Sequence, residues 1–151
     1  MESRREGHDK REPGSGEQIF HGAPFLGLLG IESVSHGRGW SETKINILPI
    51  LQRQHGFVHG GALMTIAGHT CDEAAASLVP EDQYVITVEN KTSFLRPSLG
   101  PALTCRAQVL RAGRNLVFVE AEIMAARDEG RVVVAKASST LAVISRSSKD
   151  I

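Results

Sequence analysis

His59-Gly60-Gly61 is the stretch of this 151-residue chain whose residue types point most directly to chemistry. Glycine has no Cβ, so the backbone at these two glycines can come very close to a ligand. The apolar run from Ala62 to Val79 predicts one long, buried helix, which Pro80 ends. The first turn of a helix offers unpaired N–H groups and the positive end of the helix dipole. The stretch therefore favours a site for an oxyanion or a phosphate; the alternative is a tight loop packed against the core.

One face of the predicted helix carries the polar side chains. Three-and-four spacing places Thr65, Gly68, His69 and Asp72 together on it. A carboxylate on a buried helix needs partners, so Asp72 is expected either to accept a hydrogen bond from the next strand or a partner subunit, or to do chemistry. His69 is within reach of both Asp72 and Glu73. It could form a His–carboxylate general-base unit or be a hydrogen-bonded histidine at an interface.

Composition limits the classes of function. The length suits one domain, and the 17 basic and 17 acidic residues give a net charge of +0, which favours neither nucleic acid nor an anionic membrane as partner. Cys71 and Cys105 lie in apolar runs and are expected to be buried free thiols. Because no 18-residue apolar stretch and no signal-peptide pattern is present, we expect a soluble, cytoplasmic protein.

A metal site is the weakest of the chemical alternatives. His55, His59, His69 and Asp72 could in principle supply ligands, but their spacing fits no zinc signature. We therefore expect no metal and no other cofactor.

The elements that must position these residues follow from hydrophobic patterning. Residues 1–18 contain no Val, Ile, Leu, Phe, Tyr or Trp and predict a disordered tail. A single domain follows over residues 19–151, and it opens with short helical turns in Ile19–Leu29. Alternation predicts strands around Ile31–Val34, Trp40–Leu48, Tyr84–Leu95, Pro101–Arg111, Leu116–Ala126 and Val132–Ile144, with turns at His36–Gly39, Arg111–Arg114 and Asp128–Gly130. The expected fold class is α+β, with an antiparallel six-stranded sheet wrapped around one long helix.

Several of these segments, taken in order, resemble the hotdog-fold acyl-CoA thioesterases, and most closely the PaaI-like branch of the phenylacetate pathway. They are Gln54-x-Gly56-x-Val58-His59-Gly60-Gly61, the long helix, Tyr84–Glu89, Phe94–Pro97 and Gly113-Arg114, within a resemblance that covers Phe20 to Ile144. The resemblance implies a homodimer or a dimer of dimers with acyl-CoA sites at the subunit interface. It also implies that a helix N-terminus polarises the carbonyl while a carboxylate from the partner subunit assists hydrolysis.

The resemblance assigns catalytic roles to individual residues. Gly60 matches the position whose N–H polarises the thioester carbonyl, and Gly61 keeps the approach open. Gln54 or His55 falls near a polar loop position that holds the carbonyl oxygen or the water. Thr87 matches a Ser/Thr position that contacts the attacking water in some members.

Substrate-binding roles follow in the same way. Arg96, Arg111 and Arg114 could meet the phosphates of CoA, although the last two could equally be ordinary turn charges. His59 could contact substrate, but a role in orienting the loop is favoured.

The chain departs from the family at the catalytic acid, which lies nine residues after the histidine of His-Gly-Gly. That position is Gly68 here, and the nearest carboxylates are Asp72 and Glu73. The leading hypothesis is thioester hydrolysis in which Asp72 replaces the missing acid, and either Asp72 itself or a water that it holds with Thr87 attacks the carbonyl across the dimer interface. A non-catalytic acyl-CoA-binding module is the alternative. A hydratase of the same fold is disfavoured because the chain has no paired Asp/His motif of that branch.

Overall fold

A computed structural model describes residues 23–147 of the chain, so the predicted tail at residues 1–18 lies outside the described residues. In chain order the elements are α1 (Pro24–Leu29), β1 (Ile31–Gly37), β2 (Trp40–Asn46), a short 3₁₀ helix (Pro49–Leu51), α2 (Gly60–Ala76), β3 (Gln83–Phe94), β4 (Ala102–Ala112), β5 (Leu116–Arg127) and β6 (Gly130–Ser145). Within this range no helix is long and apolar enough to cross a membrane.

The six strands form one antiparallel sheet in the order β1-β2-β4-β5-β6-β3. Strand β3 leaves the end of α2, pairs with β6 at the far side of the sheet and becomes an edge strand. Helix α2 packs across the inner face and contacts all six strands. The predicted architecture, a six-stranded antiparallel sheet around one long helix, is therefore confirmed.

The core lies between α2 and the inner face of the sheet. Alternate residues of a strand point to the same face, so alternation along β4 predicts that Leu103, Cys105, Ala107 and Val109 face inward. The first three are buried, and Val109 is half-buried. Small helix residues such as Ala67 and Cys71 let α2 lie close to the sheet. Both cysteines are free, and burial raises the pKa of each thiol to about 12, so they stay protonated and unreactive.

Helix α2 begins two residues earlier and ends three residues earlier than the pattern predicted. At its C-terminal end the Ser77 hydroxyl donates to the Ala74 carbonyl at 2.7 Å and accepts from the Gly39 N–H at 2.7 Å. A serine that bonds the backbone in this way competes with the next helical turn. Leu78 therefore lies beyond the helix and is only half-buried.

The hairpin turns are shorter than predicted because strand pairing continues into them. His36 and Gly37 belong to β1, and the turn itself is Arg38-Gly39, with Gly39 at a φ of 79°. Arg111 belongs to β4 and Gly130 to β6. Turns of two or three residues keep the twist of the flanking strands, so the ladder extends up to them.

Candidate active site

A pocket of about 380 Å³ lies along one side of α2 and is called here the Asp72 pocket. Thr65, Gly68, His69 and Asp72 lie along its helical wall, as their spacing predicted. The remaining lining is mostly apolar. It comes from α1 with its N-cap residue, from α2 and from β3: Ala23, Phe25, Leu26, Met64, Glu73, Ala76 and Val85. A small number of polar groups facing an apolar cavity is typical of a ligand site.

Asp72 is held by the neighbouring edge strand. The Thr87 hydroxyl donates to its Oδ1 at 2.6 Å. Burial raises the pKa of the Asp72 carboxyl, and the bond from Thr87 counteracts part of that rise because it stabilises the charged form. A carboxylate with a raised pKa is a stronger base, so this group is suited to take a proton from water.

Glu73, the adjacent carboxylate, also lines the pocket, but its hydrogen bonds go to other strands. Its two oxygens accept hydrogen bonds from Ser33 at 3.0 Å and from Ser41 at 2.5 Å, and His36 Nδ1 lies 3.7 Å away. These contacts tie α2 to β1 and β2. The structure thus separates two carboxylates that the sequence left equivalent, since strands β1 and β2 hold Glu73 whereas β3 holds Asp72.

His69 lies on the same pocket wall as Asp72. Burial lowers the pKa of its imidazole to about 4. The ring is therefore neutral at neutral pH, and it contributes a hydrogen-bonding group but no positive charge to the pocket.

A second pocket, of about 400 Å³, lies at the N-terminal end of α2 and is called here the Gly60 pocket. A Cβ built on Gly60 would lie 3.1 Å from Cζ of Phe94, so the absence of a side chain lets this aromatic ring approach the helix. Its lining carries two arginines among apolar residues: Arg53, Phe57, Val58, Leu63, Phe94, Leu95, Arg96, Pro97 and Ser98.

The first turn of α2 is capped by His59. Its Nδ1 accepts the Gly61 N–H at 2.9 Å, and a Cβ on Gly61 would lie 3.1 Å from the same nitrogen. The His59 carbonyl accepts the Ala62 N–H at 3.0 Å. Within residues 23–147 no hydrogen bond forms to the Gly60 N–H, which leaves this donor available at the positive end of the helix dipole.

Four other predicted site residues are not among the lining residues of either pocket. Gln54 and His55 are exposed in a turn that Arg53 closes by hydrogen bonding with Phe57 and Gly56, and they line neither pocket. Arg111 and Arg114 are exposed at the β4–β5 hairpin and also line neither.

Arg96 differs from the other two arginines because it lines the Gly60 pocket. Its Nη1 donates to the Val133 carbonyl at 2.7 Å, so at least one of its donors is used inside the fold.

Gly60 and Asp72 do not meet within one protomer. Asp72 comes twelve positions after Gly60 on α2, which corresponds to about 18 Å along the helix axis. A single carbonyl carbon cannot lie within bonding distance of both.

Sequence reasoning missed two residues, Phe94 as the ring over Gly60 and Asn90 as a polar group of the inner face. Strand β3 contains a bulge between Thr87 and Glu89, and after it Asn90 pairs with the buried Ser139. Simple alternation places Thr87 and Asn90 on opposite faces, whereas the bulge puts both toward α2. Asn90 is one of several polar residues in the second half of β3, so the sequence carried no signal that singled it out.

Comparison with known proteins agrees with the fold. The family model described as Thioesterase superfamily matches residues 55–133. The crystal structure of a thioesterase family protein from Silicibacter pomeroyi is 32% identical, with 86% of this chain and 96% of that chain covered and a TM-score of 0.84. The chain belongs to the thioesterase superfamily.

Two more distant relatives agree with this placement. The Escherichia coli PaaI protein from the phenylacetic acid degradation operon has the same fold, at 22% identity over 85% of this chain and 89% of that chain, with a TM-score of 0.75. The medium/long-chain acyl-CoA thioesterase YigI of Salmonella typhimurium is 24% identical over 85% of this chain and 90% of its own. The predicted class, a thioester hydrolase with the hotdog fold, is confirmed.

Proposed function

We propose that this protein hydrolyses acyl-CoA thioesters at a site formed by two copies of the chain, with Asp72 as the general base. The observation that carries the proposal is the separation of the two chemical groups. The free Gly60 N–H and the half-buried Asp72 carboxylate lie at opposite parts of α2, about 18 Å apart along the axis. A second copy is needed to bring one of each together.

Strand β3 is the surface through which we propose that the two copies pair. It is a 12-residue edge strand, and Ile86, Val88 and Phe94 are 42%, 64% and 53% exposed on it. A long apolar edge left unpaired is an aggregation liability, and pairing with an identical strand removes it. Antiparallel pairing centred near Asn90 would bring the Phe94 end of one copy beside the Thr87 end of the other. Assembly of two such dimers into a tetramer stays a prediction, as does a cytoplasmic location.

The shared site has the Gly60 N–H of one copy on one side and the Asp72 carboxylate of the other copy on the other side, and the reaction uses both groups. The thioester carbonyl oxygen accepts the Gly60 N–H of one copy, and the helix dipole stabilises the negative charge that develops on it. Asp72 of the other copy removes a proton from water as the water oxygen bonds to the carbonyl carbon. The carbon–sulfur bond then breaks, and the proton on Asp72 passes to the departing CoA thiolate, which leaves a free acid and CoA.

The acyl group is proposed to lie in the Asp72 pocket. Phe25, Leu26, Met64 and Val85 give this cavity of about 380 Å³ an apolar lining, and burial of an apolar chain stabilises binding by about 0.8 kcal/mol per CH₂. The name of the YigI relative, a medium/long-chain acyl-CoA thioesterase, supports the choice of an acyl chain. The roles of Gln54, His55, His59, Arg96, Arg111 and Arg114 toward substrate stay predictions.

A panel of acyl- and aryl-CoA esters of increasing length, with released CoA thiol as the readout, tests the proposal. We expect hydrolysis by the wild-type protein and a loss of about 100-fold or more in kcat for Asp72→Asn. Wild-type protein that releases no thiol from any ester overturns the proposal.

The second candidate function is a non-catalytic acyl-CoA-binding protein. The observation that favours it is Gly68, which stands where the resemblance places the acid. Calorimetric binding of a non-hydrolysable acyl-CoA thioether, together with the absence of thiol release from the matching thioester, would favour this function over hydrolysis.

A further inference from the structure

Asn90 is fixed by hydrogen bonds at both ends of its side-chain amide. Its Nδ2 donates to the Ser139 hydroxyl at 2.7 Å, and its Oδ1 accepts from the Thr92 hydroxyl at 2.9 Å. A primary amide carries two N–H donors on the same nitrogen. Ser139 uses one of them, so a second donor of known location and fixed orientation remains.

This amide lies directly over Gly68. A Cβ built on Gly68 would be 3.7 Å from Asn90 Nδ2, and among the described residues outside the local helix backbone this is the one atom within 4 Å of that point. Strand β3 therefore brings two polar side chains against helix α2 beside the Asp72 pocket, whose wall includes Gly68 and Asp72. Thr87 stands over Asp72, and Asn90 stands over Gly68.

The space between these contacts suits a water molecule. Gly68 and Asp72 are one turn apart, about 6 Å along the axis, and side chains on a helix tilt toward its N-terminus, so the Asp72 carboxylate leans toward Gly68. A water between the two side chains would accept a hydrogen bond from the Asn90 amide and donate one to the Asp72 carboxylate, each of about 2.8 Å. An ordered water needs at least two polar partners.

We propose that Asn90 donates its second N–H to the water that Asp72 deprotonates, in the space that glycine leaves at position 68. This inference rests on the proposed thioesterase function. Under this proposal Asn90 contacts the attacking water, and the absence of a side chain at Gly68 leaves room for that water. The water donates one hydrogen to Asp72 and accepts one from Asn90, which aims its remaining lone pair. Two residues thus share the role of the acid that is absent at position 68. Asp72 is the base, and Asn90 is the donor that orients the water.

The first test is Gly68→Ala, because this change separates a structural role from a catalytic one. The new methyl group would meet Asn90 at an ordinary contact distance, and alanine is a better helix residue than glycine. We expect the melting temperature to rise by a few degrees while kcat falls about tenfold or more, because the methyl group displaces the water. Unchanged or higher kcat would overturn the proposal.

The second test is a double-mutant cycle of Asn90→Ala with Asp72→Asn, measured as kcat and KM for the best acyl-CoA substrate. If both side chains hold the same water, Asn90→Ala lowers kcat in the wild-type background, leaves KM within about threefold, and has little further effect when Asp72→Asn is present. Lys91→Ala, a substitution at the next position of the same strand, is the matched control and should retain wild-type kcat.

Two results would overturn the inference and are distinguishable from failure of the proposed function. Suppose that the wild-type protein is active. If Asn90→Ala then leaves kcat unchanged, or lowers it by the same factor in both backgrounds, the proposed role of Asn90 is contradicted and the thioesterase function is not. A wild-type protein with no hydrolysis of any ester removes the proposed function and this inference with it. If Asn90→Ala does not fold, Gly68→Ala decides the question, because it preserves every side chain of β3.

Discussion

The Thr87 hydroxyl of the edge strand β3 donates a hydrogen bond of 2.6 Å to the Asp72 carboxylate of helix α2. This contact fixes the candidate base next to the strand through which a second copy is proposed to pair. It also holds the pKa of Asp72 below the value that burial alone would give. The properties of the candidate base therefore depend on Thr87.

Replacement of Thr87 by valine should shift the pH dependence of hydrolysis. Valine has nearly the same shape but no donor, so the charged carboxylate loses its partner and the pKa of Asp72 rises further. A general base works only when deprotonated, so we expect the acidic limb of the kcat/KM profile to move to higher pH. Thr87→Ser retains the hydroxyl and should keep the wild-type profile. Identical acidic limbs in the two variants would show that the bond does not tune the base.

Burial of His69 should make the fold less stable in mild acid. The pKa of this imidazole is lowered from 6.5 to about 4 in the folded state. Between these two values His69 is mostly protonated in the unfolded chain and neutral in the folded chain. The free energy of unfolding therefore decreases as pH falls from 6.5 toward 4, by on the order of 2 kcal/mol at pH 5. Urea unfolding of wild type and His69→Gln at pH 7.5 and pH 5 measures the difference.

Asp72 provides a matched comparison for the His69 experiment, because the raised pKa of its carboxyl has the opposite sign of effect. The folded state binds this proton before the unfolded state does, so the group favours folding as pH falls through its folded pKa. Asp72→Asn should therefore steepen the loss of stability in acid, whereas His69→Gln should flatten it. A pH dependence that is the same in His69→Gln and wild type would contradict the assignment.

Removal of the N-terminal cap of α2 should cost stability. His59 Nδ1 accepts the Gly61 N–H at 2.9 Å, and loss of a capping acceptor costs about 1 kcal/mol. We expect His59→Ala to lower the free energy of unfolding by this amount in urea melts. His59→Asn restores a side-chain acceptor and should retain most of the stability. Equal losses in both variants would show that the ring is needed for its packing rather than for its nitrogen.

An acidic substitution on β3 should weaken self-association. Val88 is 64% exposed in the unpaired edge strand, and antiparallel self-pairing centred near Asn90 would cover it with the partner strand. Asp at position 88 then places a charge in the interface between the two strands, and its desolvation costs free energy. Light scattering at micromolar concentration should give a dimer or tetramer of 16.3 kDa chains for wild type and a smaller species for Val88→Asp.

The control for this experiment is Leu110→Asp, since Leu110 is 59% exposed on β4, away from the edge. A wild-type chain that is monomeric, or a Leu110→Asp variant that dissociates as readily as Val88→Asp, would contradict pairing through β3.

Residue periodicity predicted the layers of the fold but not the contacts of the site. Alternation on β4 identified Leu103, Cys105 and Ala107 as inward residues, because a regular strand repeats every two residues. The bulge in β3 breaks that period, and its position depends on pairing with a strand about fifty residues away. The face of Asn90 was therefore not predictable from its neighbours in sequence.

Helical spacing likewise predicted which residues share a face of α2, but not which strands they contact. It placed Thr65, Gly68, His69 and Asp72 on one wall, which local geometry alone decides. It could not distinguish Asp72 from Glu73, because their partners come from β3 in one case and from β1 and β2 in the other. The ends of α2 were also missed, since caps depend on the His59 and Ser77 side chains rather than on the apolar run.

The central claim is that one site takes the Gly60 N–H from one copy and the Asp72 carboxylate from another. Two inactive variants can test it. Gly60→Pro removes the N–H and adds a ring. Proline is well accepted at the first position of a helix, and His59 already has the extended backbone that precedes proline. Gly60→Ala keeps the N–H, places the same Cβ against Phe94 and serves as the control.

The decisive measurement is the thioesterase activity of Gly60→Pro and Asp72→Asn subunits that have been unfolded together and refolded as a mixture. If the site is shared, each mixed dimer contains one intact site and one doubly altered site. Random pairing then restores about a quarter of the wild-type activity from two inactive proteins. If each chain carries a complete site, the mixture will be no more active than the average of the two variants refolded separately, and that result would contradict the shared site.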